Sequence, residues 1–175
     1  DLGEKSVKLS WKKVTGADSY AIYRYDNTSK KWQRIKTVKA VSFTDSGLAR
    51  AKGYSYKVKA VKKSSGKEYI SASYSKAVEA VTKPAKASCT AKSSGSGSIE
   101  VSWKAVGGAS GYEIYSSSNG SDYVKSAKVG GSQKSAIVSG FEPYSLRMVK
   151  VRAYKTVNGK TSYGAFSQAV MVIVR

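Results

Sequence analysis

The chain carries two copies of one pattern, and this repeat constrains its fold more than any other feature. Residues 9–11 (Leu-Ser-Trp) return as residues 101–103 (Val-Ser-Trp), and residues 16–23 return as residues 108–115, both 92 positions later. Solenoid units recur every ~20 to 50 residues and cannot bury a core alone. A period of 92 residues is the length of a small domain that can hold its own core. The sequence therefore predicts two domains in tandem.

The boundary between the domains is predicted in residues 82–97, which are rich in Lys, Ser, Ala and Gly, so the domains cover residues 1–82 and 83–175. The second repeat has residues 84–98 before the alternating segment that ends at Trp103, enough for a first strand and a turn. The first repeat has only residues 1–6. We therefore expect the first strand of the first domain to be truncated or missing, or reduced to a stub. The next strand would then be an edge, open to pairing with another chain.

Alternation of apolar and polar residues predicts that the chain is all-β. Apolar residues fall on odd positions in residues 7–11 and on even positions in residues 54–60, the period of two that half-buried strands show. Turn signals separate these segments, the strongest being Asn158-Gly159, where both residues tolerate a positive φ. About seven short antiparallel strands in each ~90 residues is the profile of a two-sheet sandwich.

The residues at fixed places in each repeat also resemble those of a known family. Trp11 lies on one strand, residues 20–23 on the next, and Leu48 stands six positions before Tyr54 and the alternating segment 54–60. This arrangement resembles a fibronectin type III domain, and the resemblance covers both repeats. It implies two tandem immunoglobulin-like (fibronectin type III) β-sandwiches.

The resemblance also implies roles for individual residues. Trp11 and Trp103 would anchor the two cores, and the hydroxyl of Tyr54 would tie a loop to its strand as the tyrosine corner of such sandwiches. Arg147 stands at the position of Tyr54 in the second repeat. Either the corner is lost there or a bulge shifts the register.

Among such domains, the chain is most similar to the Lys- and Tyr-rich modules of secreted and wall-attached proteins in Gram-positive bacteria. This similarity implies a secreted or cell-surface location in a Gram-positive-type bacterium and a role as a spacer or binding module. No apolar run reaches the ~18 residues that span a bilayer, so no membrane span is predicted. Cys89 is the only cysteine and is interpreted as a small apolar filler.

Residues that could catalyse a reaction are scarce. Histidine is absent, which removes the commonest general base and metal ligand. The 11 carboxylates lie mostly in predicted loops or strand ends and do not cluster at metal-ligand spacings, and no glycine-rich loop precedes a helix. The sequence predicts no enzyme activity, no cofactor and no metal site in this chain.

Positive charge is the feature that points to function. The net charge is +20, with residues 1–83 contributing +12 and residues 84–175 contributing +8. Alternation places part of this charge beside aromatic side chains on the outer face of one sheet in each domain. The predicted faces comprise Tyr23, Tyr25, Trp32, Arg34, Lys57 and Lys59 in the first domain, and Tyr115, Lys150, Arg152 and Tyr154 in the second.

Such a face can hold an anionic polymer, because sugar rings stack on aromatic rings while ammonium groups meet phosphate, sulfate or carboxylate. The alternative is that Tyr and Lys only fill the wet side of a sheet, since Tyr favours strands and Lys opposes edge association. Specific nucleic-acid binding is not predicted: the chain has 25 Lys to 6 Arg, whereas base and bidentate phosphate recognition favour Arg.

We therefore expect a non-catalytic spacer or adhesion module whose partner is an anionic cell-wall polymer, a glycan or another protein. The Arg-Gly-Asp tripeptide is absent, so integrin-type adhesion has no support. A second hypothesis makes the chain an accessory region of a secreted carbohydrate-active enzyme whose catalytic domain lies outside these 175 residues.

Overall fold

A computed structural model describes all residues from 1 to 175, and every regular element in it is a β-strand. The chain divides into two compact units: residues 1–49 with 53–82, and residues 50–52 with 83–175. The structure has no helix with the length and apolar character needed to cross a membrane.

The first unit contains seven strands: β1 (Ser6–Ser10), β2 (Ser19–Asp26), β3 (Lys31–Val38), β4 (Ser42–Ser46), β5 (Gly53–Ser64), β6 (Lys67–Ile70) and β7 (Val78–Val81). Strands β1 and β4 form a two-stranded antiparallel sheet. The second sheet has the order β3-β2-β5-β6, and β7 also pairs with β5. All pairings are antiparallel, so this unit is an antiparallel sandwich.

The second unit contains eight strands: β8 (Thr90–Ser93), β9 (Ser98–Ser102), β10 (Gly111–Ser117), β11 (Val124–Gly130), β12 (Ser135–Ser139), β13 (Leu146–Val157), β14 (Lys160–Tyr163) and β15 (Val170–Ile173). One sheet has the order β12-β9-β8. The other has the order β11-β10-β13-β14, with β15 pairing with β13. The arrangement repeats that of the first unit and adds β8.

Each unit has a separate hydrophobic core. In the first, Val7 and Leu9 of one sheet pack against Ile22 and Tyr56 of the other. Trp11 is half-buried beside this core, with its ring centroid 5.4 Å from that of Tyr20 in an edge-on arrangement. Alternation in β1, β2 and β5 thus directs apolar side chains to one side of each sheet.

The core of the second unit is built from the equivalent positions. Ile99 and Val101 of β9 pack against Ile114 and Val151, and Trp103 is only 6% exposed. The Trp103 indole N–H donates to the carbonyl oxygen of Gln133 at 3.1 Å. Two closed cores, each beside a tryptophan, confirm the prediction of tandem β-sandwiches.

The tyrosine corner is present in the first unit and absent from the second. The Ala49 backbone N–H donates to the Tyr54 hydroxyl at 2.9 Å. Arg147 stands opposite Val172, as Tyr54 stands opposite Ala80, so no bulge shifts the register at this position. The Arg147 guanidinium instead lies over the Phe141 ring, 4.9 Å from its centroid. Of the two alternatives left open by the sequence, the structure shows loss of the corner.

The two units differ at their first strands. In the second unit β8 pairs along β9 from Thr90 to Ser93. In the first, only Leu2 bridges to Val7, and the carbonyl oxygen of Asp1 accepts the Lys8 backbone N–H at 2.9 Å. Residues at the start of the chain therefore pair with only a short part of the outer edge of β1.

Candidate functional site

The predicted aromatic and cationic residues of the first domain lie on β2 and its two neighbours. Tyr23 stands opposite Arg34 on β3 and opposite Lys57 on β5. A bulge between Ile22 and Tyr23 shifts the β2–β3 register. Tyr23 and Tyr25 lie two positions apart, so they project on the same side of the sheet.

Four aromatic rings on this side are in contact. Tyr25 meets Trp32 with centroids 5.3 Å apart, and Tyr23 meets Tyr74 at 5.0 Å, both edge-on. The Trp32 and Tyr74 rings lie 6.4 Å apart. These distances are within the range of favourable aromatic pairs. We call this surface the first face, and its residues are Tyr23, Tyr25, Trp32, Lys57, Lys59 and Tyr74.

The two lysines of the first face lie over these rings. The Lys57 Nζ is 4.5 Å from the Trp32 centroid and 5.2 Å from that of Tyr74. The Lys59 Nζ is 4.3 Å from the Tyr74 centroid and donates to the carbonyl oxygen of Ala72 at 2.9 Å. Neither ammonium group is in a salt bridge with a carboxylate. The first face thus keeps two uncompensated positive charges on an aromatic surface.

Arg34, the sixth predicted residue of the first domain, is turned to a different partner. Its guanidinium lies 3.1 Å from a Glu68 carboxylate oxygen and donates from Nε to the Thr37 hydroxyl at 3.0 Å. The hydrogen bond to Glu68 raises the pKa of Arg34, and the same contact lowers the pKa of Glu68. The charge of Arg34 is therefore balanced within the protein.

The predicted residues of the second domain also meet on one sheet. Tyr115 on β10 stands opposite Lys150 on β13, and its ring lies edge-on to Phe166 with centroids 5.0 Å apart. Tyr154 lies 6.4 Å from Tyr163 by ring centroids. We call this surface the second face, and its residues are Glu113, Tyr115, Lys150, Arg152, Tyr154, Tyr163 and Phe166.

The main difference between the two faces is the carboxylate of Glu113, which belongs to the second face and whose side chain is only 1% exposed. One carboxylate oxygen lies 2.7 Å from Arg152 Nη2, and the other lies 3.4 Å from Lys125 Nζ. The Tyr115 hydroxyl donates to the same carboxylate at 3.3 Å. Burial acts to raise the pKa of Glu113, but the hydrogen bond and charge of Arg152 outweigh it and the pKa is lowered.

Arg152 is held by rings as well as by this carboxylate. Its guanidinium carbon lies 4.0 Å from the Tyr163 centroid, 4.8 Å from that of Phe166 and 5.2 Å from that of Tyr115. Lys150 lies 4.5 Å from the same Phe166 centroid. The guanidinium at the centre of the second face is therefore part of the internal packing of the domain.

The sequence prediction missed residues in both faces. Tyr74 and Phe166 occupy the same place in the two repeats, 92 positions apart, and this equivalence is the signal that identifies them. Glu113 stands where the first repeat has Ala21, between the inward-facing Tyr112 and Ile114. Alternation predicts that the Glu113 side chain points outward, but it does not predict that the side chain is buried.

A further charged cluster lies on the inward side of the first domain. The buried Asp45 carboxylate accepts from Arg24 Nη1 and from the Tyr56 hydroxyl, both at 2.8 Å. Burial, followed by the hydrogen bond to Asp45, raises the pKa of Tyr56 well above its usual range. These groups link the two sheets of the sandwich and do not reach the first face.

Comparisons with known proteins support the fold and add one relative. No protein-family model matches the chain. A two-domain fibronectin type III segment of chicken tenascin superposes with a TM-score of 0.60 and 16% identity, covering 99% of this chain and 95% of the segment. The FN1–FN3 domains of chicken CNTN1 give a TM-score of 0.49 and 19% identity, over 99% of this chain and 61% of theirs. With the sheet topology, the tenascin match shows that the fold is that of tandem fibronectin type III domains.

The relative is a poly(3-hydroxybutyrate) depolymerase from Ralstonia pickettii, 44% identical over 86 residues. The match covers 49% of this chain and 15% of the depolymerase. The shared region is thus about as long as one of the two domains and leaves most of the depolymerase outside it.

Proposed function

We propose that the chain is a non-catalytic binding and spacing region of a secreted or cell-surface bacterial protein, and that its first face binds an anionic polymer or glycan. The main observation in support of this proposal is that the ammonium groups of Lys57 and Lys59 lie on Trp32 and Tyr74 without a carboxylate partner. Ligand phosphate, sulfate or carboxylate would supply the missing negative charge. The rings would offer a flat surface for sugar rings or other polymer units.

The sandwich explains how such a site is kept in place. Tyr23 and Lys57 come from adjacent, hydrogen-bonded strands, so their separation is set by the backbone. Tyr74 comes from the segment after β6, which is tied to β5 by the Ser75 backbone N–H donating to the Val58 carbonyl at 2.8 Å. Binding to a repeating polymer would need no catalytic group, and it would gain from several weak contacts along one chain.

A second candidate function is favoured by the depolymerase relative. Identity of 44% over a domain-length region supports the hypothesis that the chain is an accessory region of a polymer-degrading enzyme, with catalysis in another part of that protein. The first face would then hold the enzyme on its insoluble substrate. The relative acts on a polyester, whereas the sequence analysis predicts a carbohydrate-active enzyme as the alternative. Retention of the chain on a polyester or on a carbohydrate distinguishes these two kinds of parent enzyme.

The experiment is a retention assay of the 175-residue chain on heparin, purified cell wall and poly(3-hydroxybutyrate) granules across a salt series. The test variant combines Tyr23→Ala, Tyr25→Ala, Lys57→Gln and Lys59→Gln. The matched control is Lys104→Gln with Lys134→Gln, which removes the same charge from exposed positions of the second domain. We expect the test variant to lose retention at physiological salt while the control keeps it.

Two results would reject the binding proposal. One is unchanged retention of the four-residue variant. The other is retention of the unaltered chain that disappears at physiological salt, because this indicates charge attraction without a site. Retention on polyester granules that persists at high salt, with none on heparin or cell wall, would select the enzyme-accessory function.

A further inference from the structure

The position of the lost tyrosine corner in the second domain has hydrogen-bond donors but no acceptor. In the first domain the Tyr54 hydroxyl accepts the Ala49 backbone N–H at 2.9 Å. Arg147 replaces Tyr54, and Glu142 stands where the first repeat has Ala49. A guanidinium has only N–H donors, so Arg147 cannot accept a hydrogen bond as the hydroxyl does. The replacement therefore removes an acceptor and adds a positive charge at the same point of the sandwich.

The loop before this position has the same conformation in both domains. Leu48 donates its backbone N–H to the carbonyl oxygen of the residue before β1 at 3.0 Å, and Phe141 donates to that of the residue before β9 at 3.1 Å. Ala51 and Tyr144 are 93 positions apart, and both have a positive φ, of 48° and 61°. By this equivalence, the Glu142 N–H points toward the side chain that replaces the tyrosine.

Both groups of donors lack a partner within the protein. The Glu142 backbone N–H makes no hydrogen bond. The Arg147 Nε is buried and has no acceptor, and no carboxylate forms an ion pair with this guanidinium. The guanidinium instead contacts the Phe141 ring, 4.9 Å from its centroid. A buried donor without an acceptor costs free energy and is rare in proteins, so these groups are suited to an acceptor from outside the chain.

The local charge favours a ligand group with a single negative charge. Arg147 is the only cationic residue among residues 140–147, and the exposed Glu142 side chain brings a negative charge into the same loop. A planar carboxylate matches the edge of a guanidinium and can accept from two donors at once. A phosphate dianion would place a second negative charge beside Glu142 without a second cation to balance it.

We propose that this corner site, formed by Phe141, Glu142 and Arg147, binds the carboxylate group of a ligand. One carboxylate oxygen takes the place of the tyrosine hydroxyl and accepts the Glu142 N–H, and the other accepts from Arg147. The Phe141 ring holds the guanidinium by its cation–π contact. Arg147 lies on the opposite side of β13 from Lys150, so the corner site is separate from the second face and does not depend on binding at the first.

The test titrates the 175-residue chain with sodium acetate and, in parallel, with sodium chloride at equal ionic strength, followed by ¹⁵N NMR. We expect acetate but not chloride to cause saturable shifts at the Arg147 Nε–H and the Glu142 amide, and phosphate to bind more weakly than acetate. Arg147→Tyr restores an internal acceptor. This variant should bind acetate at least about tenfold more weakly, and its second domain should unfold at a higher urea concentration.

Two further variants separate the corner site from charge in general. Lys104→Gln removes an exposed positive charge elsewhere in the second domain and should leave acetate binding unchanged. Glu142→Gln removes the competing negative charge and should strengthen acetate binding.

The proposal is overturned if acetate causes no shifts beyond those of chloride, if Arg147→Tyr binds acetate equally well, or if phosphate binds as tightly as acetate. Acetate binding that appears only in Glu142→Gln would show that the Glu142 carboxylate itself is the acceptor for Arg147, and would also overturn it.

Discussion

The first and second faces occupy equivalent sheets and use the same residue classes, yet they handle positive charge in different ways. In the first, Lys57 and Lys59 lie on aromatic rings with no acidic partner. In the second, Lys150 likewise lies on the rings of Tyr123 and Phe166, but Arg152 binds the buried Glu113 and is packed between rings. One position, Ala21 in one repeat and Glu113 in the other, accounts for much of this difference. The same scaffold can thus present cations to solvent or use them to stabilise itself.

The largest expected effect comes from breaking the Glu113 cluster. Glu113→Gln removes a buried negative charge and leaves Arg152 without its partner, so we expect the second domain to lose about 3 kcal/mol of unfolding free energy. Urea denaturation followed by Trp103 fluorescence measures this loss. Lys125→Gln is the matched control, because the lysine side chain is 48% exposed and should cost less than about 1 kcal/mol. Equal effects of the two changes would contradict the buried-cluster account.

Acid should reproduce part of this effect in the second domain. The pKa of Glu113 is lowered in the folded state from an ordinary value of 4.5. Its contribution to stability is therefore present above about pH 4.5 and is lost as the pH falls through the lower folded value. The difference in unfolding free energy between the unaltered chain and Glu113→Gln should shrink over this range. A difference that is constant with pH would show that the carboxylate is not ionised in the folded domain.

A smaller effect is expected at the tyrosine corner, which only the first domain has. Tyr54→Phe removes the hydrogen bond from the Ala49 N–H and should cost the first domain about 1 kcal/mol. The measurement is the shift in the urea concentration at which the first domain unfolds. Tyr25→Phe is the control, since its ring contact with Trp32 is kept and the change should be close to neutral. A neutral Tyr54→Phe would mean that the corner does not stabilise this sandwich.

The smallest effect on stability is expected from Lys57→Gln on the first face. The ammonium contacts with Trp32 and Tyr74 are half-exposed, so their loss should cost only about 0.5 kcal/mol. Arg152→Gln on the second face should cost several times more, because it leaves Glu113 buried and without its main partner. Thermal denaturation of both variants tests the contrast. Similar losses of stability in the two variants would contradict the conclusion that Arg152 has a buried partner whereas Lys57 has none.

The fold could be predicted because its signals are local and repeated. Alternation in β1 and β5 and the 92-residue offset define strands and domains before any contact is known. Tyr74 and Phe166 escaped prediction because they lie in segments outside the strands, where alternation assigns no side. Glu113 is paired with Arg152 from a neighbouring strand, and Arg152 in turn packs on Phe166 from beyond β14, so no single segment contains the information that the carboxylate is buried.

The most direct test of the different roles of the two faces uses the three tryptophans as separate reporters. Trp32 lies on the first face, whereas Trp11 and Trp103 lie at the two cores. On titration with a heparin-derived oligosaccharide at physiological salt, the Trp32 indole N–H and the Lys57 amide should shift saturably, while Trp103 and the Arg152 amide stay unchanged. Shifts centred on Arg152, or spread evenly over all basic residues, would contradict the assignment of binding to the first face.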